Sequence, residues 1–120
     1  MSLNVVNLVG RVGADPEVRY FESGKVLCKL TLAVDRRSRN NEKPDWFNLE
    51  LWGKTAEVAA NYVKKGSLIG IQGALKIDTL TNRDGHSYSK PVIRVDRMDL
   101  LGSKRDTDSS SVDAYNDTEF

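Results

Sequence analysis

A chain of 120 residues is about one domain, large enough to bury a real core, and its formal net charge of +1 conceals an asymmetry. Residues 103–120 carry two basic against five acidic side chains, a net of −3, which leaves +4 on residues 1–102; a basic body with an acidic tail implies a polyanionic partner and a tail that the body's own field attracts. One cysteine excludes an intramolecular disulfide, the first residues carry no basic leader with an apolar core, and no window approaches the roughly 18 apolar residues of a membrane span, so the expectation is an intracellular, soluble protein with no membrane partner.

The chain opens on Leu3 to Arg11, valine-rich and apolar on both faces, as expected of a central strand in a small barrel. Gly10 and Gly13 flank its exit and read as bend positions; a dinucleotide loop would need more glycines and a helix after them. Asp15-Pro16 marks a turn, Glu17 to Phe21 a short extended piece, and Glu22-Ser23-Gly24-Lys25 a hairpin connection. Val26 to Asp35 then places Val26, Cys28, Leu30, Leu32 and Val34 on one face and Lys29, Thr31 and Asp35 on the other. That alternation makes a half-buried strand and makes Cys28 a packed apolar residue, not a reactive thiol.

Arg36 to Pro44 is a polar loop in which Arg36, Arg37, Arg39 and Lys43 face only Glu42. It leads directly into a strand, Asp45 to Trp52, whose parity separates Phe47, Leu49 and Leu51 from Trp46, Asn48, Glu50 and Trp52. The first set is the expected core. The second puts both tryptophans of the chain outside it, about 20 Å apart along the strand, beside a run of cations. Cations neutralise phosphates and indoles stack on bases, so this juxtaposition points to nucleic acid; burial in a subunit interface is the competing use of the two rings.

Gly53-Lys54-Thr55 resembles the end of a phosphate-binding loop, but Asn48 stands where that loop needs its first glycine, and nucleotide hydrolysis is rejected. Instead Thr55 reads as a helix N-cap, with Glu57 in the first turn, Ala59, Tyr62 and Val63 as the buried stripe, Lys64 and Lys65 in the last turn and Gly66 as the stop. Ser67 to Ile77 returns to a strand, with Ile69, Ile71, Leu75 and Ile77 inward and Gly73 at a bend. Asn82 to Gly85 forms a hairpin turn. On the returning strand, Ile93 and Val95 are out of phase with Met98 and Leu100, so a bulge is expected near Asp96 and Arg97.

The sole histidine, His86, lies beside that turn with no second ligand near it in sequence, and no nucleophile, base and orienting group emerge from spacing. Neither an enzyme, a metal site nor a cofactor is expected. Three strands, a helix and two strands, all antiparallel by their hairpin signals, give an all-β fold with one short helix: the five-stranded OB-fold barrel.

The segments Asn7 to Arg11, Asp15 to Tyr20, Trp46, Gly53 to Ala59 and Tyr62 to Ser67 together resemble bacterial single-stranded DNA-binding proteins over residues 1–102. The resemblance implies a homotetramer of OB domains that coats and protects single strands in DNA replication, repair and recombination without catalysis, in the cytoplasm at the nucleoid. It further implies stacking by Trp46 and by Trp52, where many members carry phenylalanine, and phosphate contacts by Lys54 and Lys65. Leu80 stands where the distal hairpin often has tryptophan; Arg36, Arg37 or Arg39 would compensate by planar stacking, with Tyr88 as a further aromatic. Residues 103–120 read as a short disordered acidic tail whose tip, Asp117, Glu119 and Phe120, would recruit replication and repair proteins, although it lacks the isoleucine-proline usual before the last phenylalanine. An OB-fold RNA-binding or specialised strand-handling protein, and an oligomeric module that binds no nucleic acid, are the alternatives.

Overall fold

The computed structural model describes residues 3–36 and 43–102. Its elements in chain order are β1 (Val6–Val12), β2 (Glu17–Tyr20), β3 (Val26–Val34), β4 (Asp45–Trp52), α1 (Gly53–Tyr62), β5 (Leu68–Thr81) and β6 (Ser87–Leu100). Five of the strands close a ring in the order β1, β5, β6, β4, β3 and back to β1. The sixth, β2, shares an edge of β3 with β1: β2 takes the half from Val26 to Lys29, and β1 pairs Arg11 with Ala33 and Val12 with Leu32. The expected five-stranded barrel is therefore present, with the short extended piece added at its rim.

One pairing departs from the expected all-antiparallel sheet. β4 and β6 run parallel, through Leu49 with Ile93 and Glu50 with Arg94. A closed ring of five strands cannot alternate direction all the way round, so at least one neighbouring pair must be parallel. Hairpin signals report only strands adjacent in sequence, and β4 and β6 are not.

Inside the ring, Leu32, Leu49, Leu51, Ile69, Ile93 and Cys28 are almost completely buried. Burial pushes the Cys28 thiol up to about 11, which keeps it protonated and unreactive as its packing requires. Val6 and Leu8 of β1 and Phe47 of β4 pack against this core. The other apolar face of the first segment is not buried, because Val5 and Val9 are each more than half exposed. A Cβ on Gly10 would collide with the carbonyl oxygen of Ala33, so the closure of β1 onto β3 requires a bare residue there.

The helix begins three residues earlier than its sequence signals indicate. Trp52 is the N-cap, without a side-chain capping bond, and Gly53 enters with φ 62°. Thr55 and Glu57 therefore lie past the cap and the first turn, and Lys64 and Lys65 follow the helix end at Tyr62. Ala56, Ala59 and the C-cap residue Val63 form the buried stripe, while Tyr62 points outward at 66% exposed. Small residues on the inner face let α1 lie close over β3 and β4. The following turn is held to the end of β1 by Gly66 N–H to the Val12 carbonyl at 2.7 Å and by Lys65 N–H to Asp15 Oδ1 at 2.9 Å.

The bulge on the last strand falls where the phase change put it. Gln72 pairs with Arg97 and Gly73 with Val95, leaving Asp96 as the extra residue, and both Ile93–Val95 and Met98–Leu100 thereby turn to the inner side. Gly73 faces this irregularity, and a Cβ there would strike the Arg94 carbonyl. The β5–β6 hairpin runs on past the barrel to a turn in which Asn82 Oδ1 accepts from the N–H groups of Asp84 and His86, with Gly85 at φ 84°. Leu75 and Ile77 keep the inward parity of Ile69 and Ile71, but they lie beyond the last β1–β5 pair, Val6 with Gly73, and are exposed. Ahead of β1, the Asn4 side-chain amide donates to the Leu75 carbonyl at 2.7 Å and accepts from its N–H at 2.9 Å, prolonging the β1–β5 ladder with a side chain.

Candidate nucleic-acid interface

The antiparallel register of β3 with β4 sets the outer face of the barrel, opposing Trp46 to Ala33, Asn48 to Thr31, Glu50 to Lys29 and Trp52 to Leu27. Arg94 of β6 lies beside Glu50, and β5 adds Lys76 opposite Val92 and Asp78 opposite Lys90. The face is thus a polar strip, with one tryptophan at each end of β4.

The two indoles are held differently. Trp46 is 60% exposed and rests on Gly13, where a Cβ would fall on its six-membered ring. Among the described residues its ring has no stacking or hydrogen-bonding partner. Trp52 is only partly exposed and stacks on Phe21, with ring centroids 5.9 Å apart and 22° between planes. Its indole N–H donates to Glu50 Oε1 at 3.0 Å, and the same oxygen accepts from Lys76 Nζ at 3.1 Å. The hydrogen bond to Glu50 is the main reason the Lys76 ammonium titrates above its ordinary value. Because β2 and β4 flank β3, Phe21 and Trp52 meet above β3. Leu27, which points out of the barrel between them, is 6% exposed without belonging to the core cluster.

A depression of about 510 Å³ beside Trp52 is lined by Lys25, Glu50, Gly53, Lys76 and Arg94 as well as the indole. Lys54 enters α1 next to this ring, and Lys65 lies at the far end of the helix, where its backbone is tied to Asp15 near Gly13 and Trp46. Lys54 and Lys65 therefore bracket the face and do not converge on one spot. Arg36 donates to Asp45 Oδ1 at 2.7 Å in a half-exposed pair beside Trp46, so part of its charge is already spent. Arg37 and Arg39, and the tail residues Asp117, Glu119 and Phe120, lie outside the described residues. Tyr88, 51% exposed, stands directly across from Leu80 and shares the face of Arg94, which supplies an aromatic neighbour at the position where the distal hairpin lacks one.

Sequence reasoning missed Phe21, Lys25, Lys76 and Arg94. Phe21 ends an extended piece with no visible partner, and only the β2–β3 register carries it over to Trp52. The three cations sit in separate strands and connections that closure of the ring brings together. Among the described residues no group of three or more His, Cys, Asp and Glu side chains is placed to hold a metal, and no helix is long and apolar enough to cross a membrane.

Residues 3–101 match the family model described as the single-strand binding protein family. The chain belongs to the single-strand binding protein family. Similar members include single-stranded DNA-binding protein 1 of Nostoc sp., 65% identical over 114 residues that cover 94% of this chain and 95% of the relative. Single-stranded DNA-binding protein 1 of Synechocystis sp. is 63% identical over 117 residues, 96% of this chain and 97% of the relative. A more distant member, the single-stranded DNA-binding protein of Neisseria meningitidis serogroup A, is 35% identical over 111 residues, 88% of this chain and 64% of that longer protein. Trp46 and Trp52 stand at the two ends of the outer face of β4, and Lys25, Lys76 and Arg94 from other segments lie beside the second of them.

Proposed function

We propose that this chain binds single-stranded DNA without sequence preference, stacking bases on Trp46 and Trp52 and neutralising phosphates with Lys54, Lys65, Lys25, Arg94 and the arginines of the 36–39 loop. The observation that carries this reading is the Trp46 indole, 60% exposed on a barrel whose other large side chains on β4 are mostly covered. Leaving so large an apolar ring in water has a cost that only an occupant removes. Tyr88 extends the aromatic row toward the hairpin. The chain acts as a coat and not as an enzyme, protecting single strands in replication, repair and recombination, in the cytoplasm at the nucleoid.

Residues 1–102 form the binding domain in this reading and residues 103–120 an acidic tail, with Asp117, Glu119 and Phe120 recruiting replication and repair proteins. Assembly as a homotetramer is supported by the exposed Val5, Val9 and Leu101 around β1. It is supported too by the edge of Val6–Gly10 away from β5, which pairs with no strand among the described residues. Titration with oligo(dT) at fixed salt should quench tryptophan emission, and Trp46→Ala should weaken binding by the loss of a stacked base, about 1–3 kcal/mol. Unchanged affinity in Trp46→Ala, together with loss of the oligomer in sedimentation, would assign the ring to subunit contacts instead. Oligo(U) in the same titration separates DNA from RNA preference.

A further inference from the structure

Trp46 and Trp52 stand on the same strand face, yet their surroundings are not equivalent. An exposed indole samples several rotamers, and docking a base on it requires choosing one. Trp46 is in that position. Trp52 has already been restricted: Phe21 covers one face in an offset stack, Glu50 accepts from its N–H, and Lys76 holds Glu50 in turn. Glu50 is itself sheltered, its side chain only 13% exposed. The remaining face of Trp52 is therefore presented in one plane next to Lys25 and Arg94.

We propose that Phe21 is a positioning residue for single-strand binding, which by stacking on Trp52 fixes the plane onto which a base docks. The inference rests on the reading of Trp52 as a stacking platform. Phe21 acts through Trp52, and Glu50 completes the restraint from the edge. Phe21 is 38% exposed and lies outside the barrel core, so its truncation removes the stack and leaves the packing of Leu32, Leu49 and Ile69 intact.

The test compares Phe21→Ala, Phe21→Leu and Phe21→Tyr in the full-length protein for oligo(dT) affinity at one salt concentration. Time-resolved anisotropy is then read in a Trp46→Phe background where Trp52 is the sole tryptophan. Loss of the ring should weaken binding about three- to tenfold, the scale of immobilising one rotamer-rich side chain, and should increase the fast local motion of Trp52. Phe21→Tyr should restore both. The double variant Phe21→Ala/Trp52→Ala should bind no more weakly than Trp52→Ala alone. Phe21→Leu keeps bulk without a π-face and carries the comparison if Phe21→Ala loses its fold by circular dichroism.

Unchanged affinity in Phe21→Leu despite faster Trp52 motion would make the stack structural only and overturn the proposal. Losses that multiply in the double variant would mean that Phe21 acts independently of Trp52, which overturns it as well. If Trp52→Ala itself binds like the parent, it is the platform reading of Trp52 that fails, and the proposal falls with it; that result is distinguishable because it does not depend on any Phe21 variant.

Discussion

The six-membered ring of Trp46 occupies the space that a side chain at Gly13 would need, with Thr31 Oγ1 closing the same site at 2.8 Å from the position of an added Cβ. Gly13→Ala should therefore displace an exposed ring and not a packed backbone. We expect nearly unchanged thermal stability, a shifted tryptophan emission and a severalfold loss of oligo(dT) affinity. Gly10→Ala is the contrasting control, because there the obstruction is the Ala33 carbonyl at the β1–β3 closure; it should destabilise the fold by about 1–3 kcal/mol in urea unfolding.

Cations near Trp52 differ in how free they are to meet a phosphate. Lys76 is engaged by Glu50 at 3.1 Å and Asp78 at 3.4 Å, whereas Arg94 is exposed and has no ion-pair partner among the described residues. A plot of log affinity against log salt should have a negative slope. Arg94→Gln or Lys25→Gln should each make it shallower by about 0.7, the increment for one phosphate contact on a single strand. Lys76→Gln should change it less.

Burial of Cys28 has a signed consequence for stability. Its folded value of about 11 exceeds the ordinary 9.0, so the unfolded chain loses this proton first as pH rises. The contribution is fully present below pH 9 and is lost between about 9 and 11, amounting to about 3 kcal/mol at most. Cys28→Ala should remove that alkaline decline in urea-unfolding free energy while losing some packing at all pH values. Iodoacetamide at pH 8 should leave the native thiol unmodified.

The acidic tail carries its own expectation. A tethered run of carboxylates competes with phosphates at high effective concentration, so deleting residues 103–120 should leave circular dichroism unchanged and tighten oligo(dT) binding at low salt. The gain should vanish at high salt, where screening weakens the competitor. Equal affinity of the two forms at low salt would reduce the tail to a solubilising end.

What was legible in the sequence was whatever period 2 or local turn chemistry encodes. The parity of Trp46 against Phe47, the packing of Cys28, the turn at Asn82 and the bulge at Asp96 are all local facts. Hidden were those that depend on which strands close together: the parallel β4–β6 pair, the carry-over of Phe21 to Trp52, and the pooling of Lys25, Lys76 and Arg94. Tyr62 misled because its helical spacing fits the stripe, while the tight approach of α1 to the sheet admits Ala56 and Ala59 but not a phenol. Leu75 and Ile77 misled because alternation continues along β5 past the point where its pairing with β1 ends.

The extra residue at Asp96 makes β6 a strand with two phases. Toward the hairpin, even-numbered residues such as Arg94 and Lys90 face the tryptophan strip; beyond the bulge, Arg97 and Asp99 take the outer side instead. A strand built this way counts its residues differently on either side of one point. Removing two residues from the tip near Asn82 would only shorten the projecting arm, whereas removing Asp96 would merge the two phases into one and take away the bend that the extra residue gives the strand. Natural length variation in such chains should accordingly collect at the hairpin tip and be absent from the Val95–Arg97 segment that faces Gly73, a pattern readable from insertions and deletions alone.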